Sequence, residues 1–355
     1  MYHLARALLF HLEPETAHVA ALRLLAGAHA LGVAQALRPN VPPDPVEAIG
    51  LTFPNPVGLA AGLDKNAAFV EPLTDLGFGF LEVGTVTPRP QPGNPRPRMF
   101  RLQQSDALIN RLGFNNEGVG ALVARVCAVR CAVPLGINIG RNADTPNERA
   151  GEDYARALAA VYPHASYVTI NVSSPNTRDL RALQGAGELD ALLSQVVQQR
   201  ARLSELHARH VPIAVKVSPD LSDDDLRRAA DALLAHGLDA VIATNTTVAR
   251  EGVGTAREAS VASEAGGLSG RPLFLRSTAA VRTLAEHVRG ALPIIGVGGI
   301  LSGADAVEKL RAGATLVQLY TGLVYRGPAL IEECRRAIAE YRQAHQPPRG
   351  SSAPE

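Results

Sequence analysis

The sequence predicts an α/β fold: a (β/α)8 TIM barrel with an N-terminal two-helix extension. Three observations lead there. First, eight short apolar runs alternate with helical patterns from residue 53 onward. They are NPVGLAAGLDK (55–65), FGFLEVGTVT (78–87), VPLGINIG (133–140), SYVTINVSS (166–174), VPIAVKVSP (211–219), DAVIATNTT (239–247), LPIIGVGGI (292–300) and TLVQLYTGL (315–323). Continuous apolar strands joined by helical crossovers mean a parallel sheet buried on both faces, and eight such units mean a closed barrel. Second, polar residues gather at the same end of each run: Asp64 and Lys65, Thr85, Asn138, Asn171 with Ser173 and Ser174, Lys216, Thr244 to Thr246, Gly298 and Gly299, and Tyr320 with Thr321. In a barrel these C-terminal ends converge on one face, where active sites form. Third, the rival, a doubly wound open sheet, lacks its strand–GxGxxG–helix fingerprint; GVGG at 296–299 is a weak match alone.

The N-terminal extension spans residues 1–40. Leu4, Leu8 and Leu12 recur every fourth residue, and Val19, Leu22 and Leu25 form a second stripe after Pro14. This periodicity predicts two short amphipathic helices. Their apolar faces have two possible destinations, the chain's own core or a membrane surface. Glu13 and Glu15 interrupt a run too short to span a bilayer, and no small-residue cleavage site follows it. Neither a spanning helix nor a signal peptide is expected.

The barrel is placed at 41–345. Two stretches exceed ordinary loops: the Pro- and Arg-rich 86–116 and the Gly-ending 248–270. Loops of that length are usually functional excursions. The role of 248–265 is left open. The tail 346–355, QPPRGSSAPE, is expected to be disordered.

Composition bounds the function. With 46% hydrophobic and 19% charged residues in 355, a large core is available. The balance of 35 basic to 34 acidic side chains gives no footprint for nucleic acid. Cys127 and Cys131 lie four apart in VARVCAVRC, which reads as one helix, and with Cys334 they are expected to be buried thiols in a reducing compartment. No CxxC or HExxH spacing suggests a metal, and His207 with His210 reads as a solvated face.

The strand ends carry chemistry. GVGGI (296–300), YTG (320–322) and SGR (269–271) fall where late barrel loops bind phosphate through backbone N–H groups. Lys65 and Lys216 end apolar strands, where a lysine needs an anion or an ion-pair partner. Asn110, Asn138, Asn171, Asn176 and Asn245 offer paired donors and acceptors, suited to a flat ring with alternating N–H and C=O groups such as a pyrimidine. The segment INVSSPNT (170–177) has serines but no adjacent histidine or carboxylate to activate one as a nucleophile.

Nine stretches together resemble dihydroorotate dehydrogenase: AAGLDKN (60–66), EVGTVTPRPQPGNPRPR (82–98), NRLGFNN (110–116), GINIGRNADTP (136–146), NVSSPNT (171–177), VKVSPDL (215–221), ATNTT (243–247), GGLSGRPL (266–273) and GVGGI (296–300). The resemblance runs from about residue 2 to about 340. It is to the membrane-associated, quinone-reducing class 2. The soluble class carries cysteine where this chain has Ser174, and lacks the helical extension.

The resemblance implies oxidation of dihydroorotate to orotate, with one FMN per chain and Ser174 as catalytic base. It implies FMN contacts at Ala61, Gly62, Leu63, Asp64, Lys65, Thr85, Asn138, Asn171, Lys216, Thr244, Gly270, Gly299, Tyr320 and Thr321. Substrate contacts are implied at Lys65, Asn110, Arg111, Leu112, Gly113, Phe114, Asn171, Asn176, Asn245 and Thr246. His18, Arg101 and Tyr320 match positions on the quinone side. A monomer at the cytoplasmic face of the cell membrane is expected, peripheral, with no iron–sulfur partner subunit. Three rivals stay open: a soluble-class enzyme using fumarate or NAD, a flavin enzyme reducing uridine in tRNA, and a non-enzymatic membrane-associated barrel.

Overall fold

A computed structural model of the chain describes residues 2–34, 40–253 and 258–345. The expected disordered tail lies outside the described residues, as does 254–257 of the second long stretch. Each of the eight apolar runs contains one strand of a closed barrel: β1 (Val57–Leu59), β2 (Phe80–Val86), β3 (Leu135–Ile139), β4 (Tyr167–Asn171), β5 (Ile213–Val217), β6 (Ala240–Ala243), β7 (Ile294–Val297) and β8 (Leu316–Leu319). The ring runs in chain order and closes where Val317, Gln318 and Leu319 pair in parallel with Val57, Gly58 and Leu59.

The period-2 alternation of each strand divides its residues between two cores. Leu81, Val83, Ile137, Ile170 and Val215 point outward and pack with the crossover helices, such as Ala150–Val161 and Ala186–His207. Phe80, Tyr167, Ala214, Ala240, Ile295 and Leu316 point inward and pack with a hairpin (46–48 and 51–53) that plugs the barrel floor. There the Phe80 ring stands edge-on to Phe53 at 5.1 Å and to Tyr167 at 6.4 Å. Burying a side chain of this size contributes roughly 1.5–3 kcal/mol. Glycines make the room: a Cβ on Gly58 would meet the Phe80 ring at 2.3 Å, and one on Gly136 the Tyr167 ring at 2.2 Å. One step up the strands the interior turns polar, with Glu82, Asn138, Lys216 and Gln318 all buried.

The two long stretches are not plain loops. Residues 99–102 and 107–110, from the first, pair with 267–270, from the second, in a three-stranded antiparallel sheet. Short strands that pair across such distances in the chain leave little local pattern to read.

The extension forms α1 (Tyr2–Phe10) and α2 (Pro14–Ala30). Glu13 caps α2, accepting from the N–H groups of Glu15 and Thr16, and Pro14 fits the first turn, where no N–H bond is lost. Helix α1 docks through a few anchors: Tyr2 donates to Val324 O at 2.6 Å, Arg6 to Tyr325 O at 2.7 Å, and Phe10 meets the Tyr325 ring edge at 5.5 Å. Two of its leucines point away, Leu4 74% and Leu8 73% exposed, while Leu9 is half-buried. Leu22, by contrast, is buried in the main core. The extension thus has one face on the barrel and one apolar face open. Among the described residues no helix is long and apolar enough to cross a membrane.

The cysteine expectation needs correction. The helix ends at Ala128, so Cys131 lies beyond it, and Cys127 is exposed; only Cys334 is buried. The apolar face of that helix is carried by Val119, Leu122 and Val126, which turns Cys127 outward. His207 and His210 are both exposed.

Candidate active site at the barrel mouth

The strand ends enclose a cavity with about 990 Å³ of empty space, its open mouth included. Most of the residues singled out in the sequence line it: Ala61, Gly62, Lys65, Thr85, Asn171, Lys216, Thr244, Gly270, Gly299, Tyr320 and Thr321 on one hand, and Asn110, Leu112, Gly113, Phe114, Ser174, Asn176, Asn245 and Thr246 on the other. The pairing of 99–102, 107–110 and 267–270 brings Asn110 and Gly270, from distant parts of the chain, to the same rim.

Leu63, Asp64, Asn138 and Arg111 are not in the lining. Asp64 is buried and folds its own loop, accepting from Ala68 N at 2.9 Å and Phe69 N at 2.7 Å. Asn138 supports the wall from below, accepting from Thr85 Oγ1 at 2.6 Å and from Asn171 Nδ2 at 3.2 Å. Arg111 turns outward to Glu264 at 2.6 Å and lies 4.6 Å from the Phe100 ring centre.

Two cations set the electrostatics. Burial pushes Lys65 down to about 8, partly opposed by the charge of Glu15, and its Nζ donates to Gly62 O at 3.0 Å. Burial likewise lowers Lys216, against the opposing pull of Glu82. Lys216 has no hydrogen-bond or ion-pair partner among the described residues. The backbone N–H groups of Gly298, Gly299 and Ile300, which also line the cavity, make no hydrogen bond among the described residues. Positive φ at Gly298 (+111°) and Gly299 (+76°) turns this segment through a path a side chain would resist, and a Cβ on Gly299 would meet Phe274 Cα at 2.4 Å. Unpartnered amide donors beside two cations, Lys216 buried and Lys65 half-buried, suit an anionic ligand bearing a phosphate.

The INVSSPNT segment crosses the floor of the mouth. Tyr154 O–H holds Asn171 O at 2.8 Å as β4 ends. Arg181 clamps the next turn, donating to Ser173 O at 3.0 Å and Thr246 O at 2.7 Å while paired with Asp220 at 2.7 Å. Ser174 is 6% exposed, and its Oγ accepts from Asn176 N at 3.2 Å. Asn176 Nδ2 in turn reaches Asn110 Oδ1 at 3.1 Å. Thr177 Oγ1 and Thr246 Oγ1 are buried with no partner among the described residues.

The three residues assigned to the quinone side lie along the seam between extension and barrel. His18 on α2 is held low, about 4, by burial and by the charge of Lys65, so its imidazole is neutral. Arg101 lies 4.6 Å from the Phe10 ring centre and donates to Leu12 O at 2.8 Å. Tyr320, which reaches Gly62 O at 3.4 Å, stays protonated because burial raises it to about 12.

A family model described as dihydroorotate dehydrogenase matches residues 45–341. The chain belongs to the dihydroorotate dehydrogenase family. Within it, this chain is 60% identical over 344 residues to the dihydroorotate dehydrogenase (quinone) of Burkholderia ambifaria, covering 97% of this chain and 99% of the relative. It is 59% identical over 339 residues to that of Paraburkholderia phymatum, covering 96% and 98%. Among solved structures it is similar to the ligand-free DHODH of Eimeria tenella, with a TM-score of 0.84 at 38% identity, covering 94% of this chain and 96% of that one. The same Eimeria enzyme in complex with ferulenol gives 0.83 at 36%, covering 94% and 92%.

Sequence reasoning passed over several residues of this family site. Glu82 and Arg181 are among them. Glu82 had a visible signal, a charge inside the apolar run FLEVGTV. Arg181 had none, since its three partners come from three separate segments.

Proposed function

We propose that this chain oxidises (S)-dihydroorotate to orotate and passes the electrons to a membrane quinone, a step of de novo pyrimidine (UMP) synthesis. One observation carries the reading: a buried serine with no histidine or carboxylate partner among the described residues, set among asparagines in a cavity it shares with the buried Lys216 and the half-buried Lys65. A serine so placed suits proton relay better than nucleophilic attack.

The cavity residues fit FMN, one per chain. The N–H groups of Gly298, Gly299 and Ile300, with Gly270 and Thr321, would take its phosphate. Ala61, Gly62, Thr85, Lys216, Thr244 and Tyr320 would hold the rest, with Leu63, Asp64 and Asn138 shaping the wall behind. When bound, FMN supplies at N5 the acceptor for the hydride that leaves C6 of dihydroorotate and returns the electron pair to quinone.

The chain's own residues do the remaining work. Ser174 takes the proton from C5 as the hydride leaves C6. A hydroxyl is a weak base, so it must release its own proton as it accepts another. The buried, unpartnered Thr177 Oγ1 supports a relay through that side chain and a water. Lys65 meets the substrate carboxylate. Asn110, Asn171, Asn176, Asn245 and Thr246 read the ring, while Leu112 to Phe114 cover it and Arg111 anchors their segment through Glu264. His18, Arg101 and Tyr320 flank the quinone, which enters along the 1–40 extension; the open apolar face of that extension supports peripheral attachment at the cytoplasmic side of the cell membrane. We read the chain as a monomer.

The test is anaerobic. The purified yellow protein should bleach on dihydroorotate and recover its colour on a quinone, not on fumarate or NAD. A colourless protein, or colour unmoved by dihydroorotate, would overturn the reading. Recovery on fumarate or NAD would move it to the soluble class.

A further inference from the structure

Glu82 stands fully buried on the barrel axis side of β2, below the cavity and outside its lining. Three groups converge on its carboxylate. Asn138 Nδ2 donates to Oε1 at 2.8 Å; Tyr167 O–H and Gln318 Nε2 donate to Oε2 at 2.9 and 2.8 Å. Burial and the nearby carboxylate raise the Tyr167 phenol well above its ordinary value, so it remains a donor.

A carboxylate only accepts, whereas a side-chain amide has one end that donates and one that accepts. The partners of an amide therefore decide which way it points. Because Glu82 takes the NH2 of Asn138, the Oδ1 of Asn138 must face the mouth. There it accepts from Thr85 Oγ1 at 2.6 Å and from Asn171 Nδ2 at 3.2 Å. Asn171 points the same way: its NH2 also meets Thr85 Oγ1 at 2.9 Å, while its Oδ1 accepts from Asn245 Nδ2 and Ser173 Oγ, each at 3.2 Å, and from Ser173 N at 3.3 Å. Asn245 then accepts from Thr246 N through Oδ1 at 2.9 Å. One direction runs through every link.

We propose that Glu82 is a positioning residue that holds Asn138 in the one direction that matches Asn171 and Asn245, whose oxygens the N–H groups of Ser173 and Thr246 hold, and so keeps the order in which the mouth presents amide groups to a pyrimidine ring. The inference rests on the reading of this mouth as the dihydroorotate site. A ring with N–H and C=O groups in fixed order fits one direction of the chain and mismatches the reverse, because each reversed contact sets donor against donor or acceptor against acceptor. Without an acceptor at position 82, Asn138 can turn over, and its NH2 then opposes the NH2 of Asn171, which the Ser173 N–H holds in place, so the chain is strained at that link.

Two substitutions separate direction from charge. Glu82→Gln keeps an oxygen for Asn138, and its new NH2 can meet Gln318, whose Oε1 has no partner among the described residues and can rotate to accept. Glu82→Met keeps the bulk and removes both acceptors. The probe is orotate, titrated into oxidised flavin-loaded protein and followed by flavin absorbance, with flavin content and melting temperature measured alongside. Expected are an orotate Kd within about threefold of wild type for Glu82→Gln, and one weakened at least about tenfold for Glu82→Met, the size of a mismatched buried hydrogen bond. The dihydroorotate KM should rise more than kcat falls.

If Glu82→Met does not fold, Asn138→Leu cuts the chain one link later with Glu82 still held by Tyr167 and Gln318; it should weaken orotate likewise. Lower melting temperatures with unchanged orotate Kd in the flavin-loaded fraction would overturn the proposal, as would equal losses in Glu82→Gln and Glu82→Met. Wild-type protein that fails to bind orotate overturns the reading of the site itself; wild-type binding with unaltered variants overturns only the role of Glu82.

Discussion

Glu15 on α2 and Arg98 in the 86–116 stretch form a two-pronged ion pair, Oε2 to Nε at 3.0 Å and Oε1 to Nη2 at 2.7 Å, with both side chains under a tenth exposed. Arg96 adds a third contact to Oε1 at 3.0 Å. The pair fastens the extension to the stretch that builds the cavity rim, since Arg98 also holds Pro92 O and Asn94 O.

Breaking that pair leaves a buried charge without its partner, which costs about 3–5 kcal/mol. Glu15→Ala should lower the melting temperature and reduce quinone turnover more than flavin bleaching by dihydroorotate. The hydrogen bond and charge of Arg98 hold Glu15 below its ordinary 4.5. A depressed carboxylate stabilises the fold above its unfolded value and loses that contribution as pH falls through its folded value. The melting difference between wild type and Glu15→Gln should thus hold from pH 7 to 5 and shrink below 4.5.

Ser174→Ala removes the proposed proton acceptor but no group that holds flavin. Anaerobic bleaching by dihydroorotate should slow by about 10²–10⁴-fold at unchanged flavin content. Thr177→Ala should also slow it, and an unchanged rate would remove Thr177 from the relay.

Lys65 must be charged to meet a carboxylate, and burial lowers it to about 8. Dihydroorotate affinity should therefore weaken as pH rises past 8, and Lys65→Met should bind weakly with no such dependence. Steady-state KM between pH 6.5 and 9.5 checks both.

Lys309 is fully buried, donating to Ser277 Oγ at 2.6 Å and Thr278 Oγ1 at 2.9 Å, behind the Gly298–Gly299 turn that Ser277 also holds. Burial lowers it to about 7 from 10.5. Between those values the unfolded chain binds more protons at this group, so its effect on stability improves with rising pH. Wild type should gain melting temperature from pH 7 to 9 relative to Lys309→Met, measured by thermal unfolding.

Deleting residues 1–37 should spare flavin binding and bleaching but impair reoxidation by quinone. Full quinone turnover in the truncated protein would detach the extension from electron delivery.

The barrel was legible because its signal is local and repeated. Each strand is a short apolar run, each crossover a helical period, and each polar cluster sits at a known strand end. The covering sheet was not, because Ala107–Asn110 and Gly267–Gly270 pair over more than 150 residues of chain. The exposure of Cys127 turned on where one helix face points, and that depends on its neighbours.

By itself the sequence determined the barrel, the two amphipathic helices, the family motifs and the polar residues at the strand ends, since these follow from periodicity and residue chemistry. The tertiary structure decided which of those residues share one cavity, how Glu15 meets Arg98, and which way the amides of Asn138, Asn171 and Asn245 point. Those depend on contacts between distant segments. Direction in a hydrogen-bond chain is a property of partners, and no residue carries it alone.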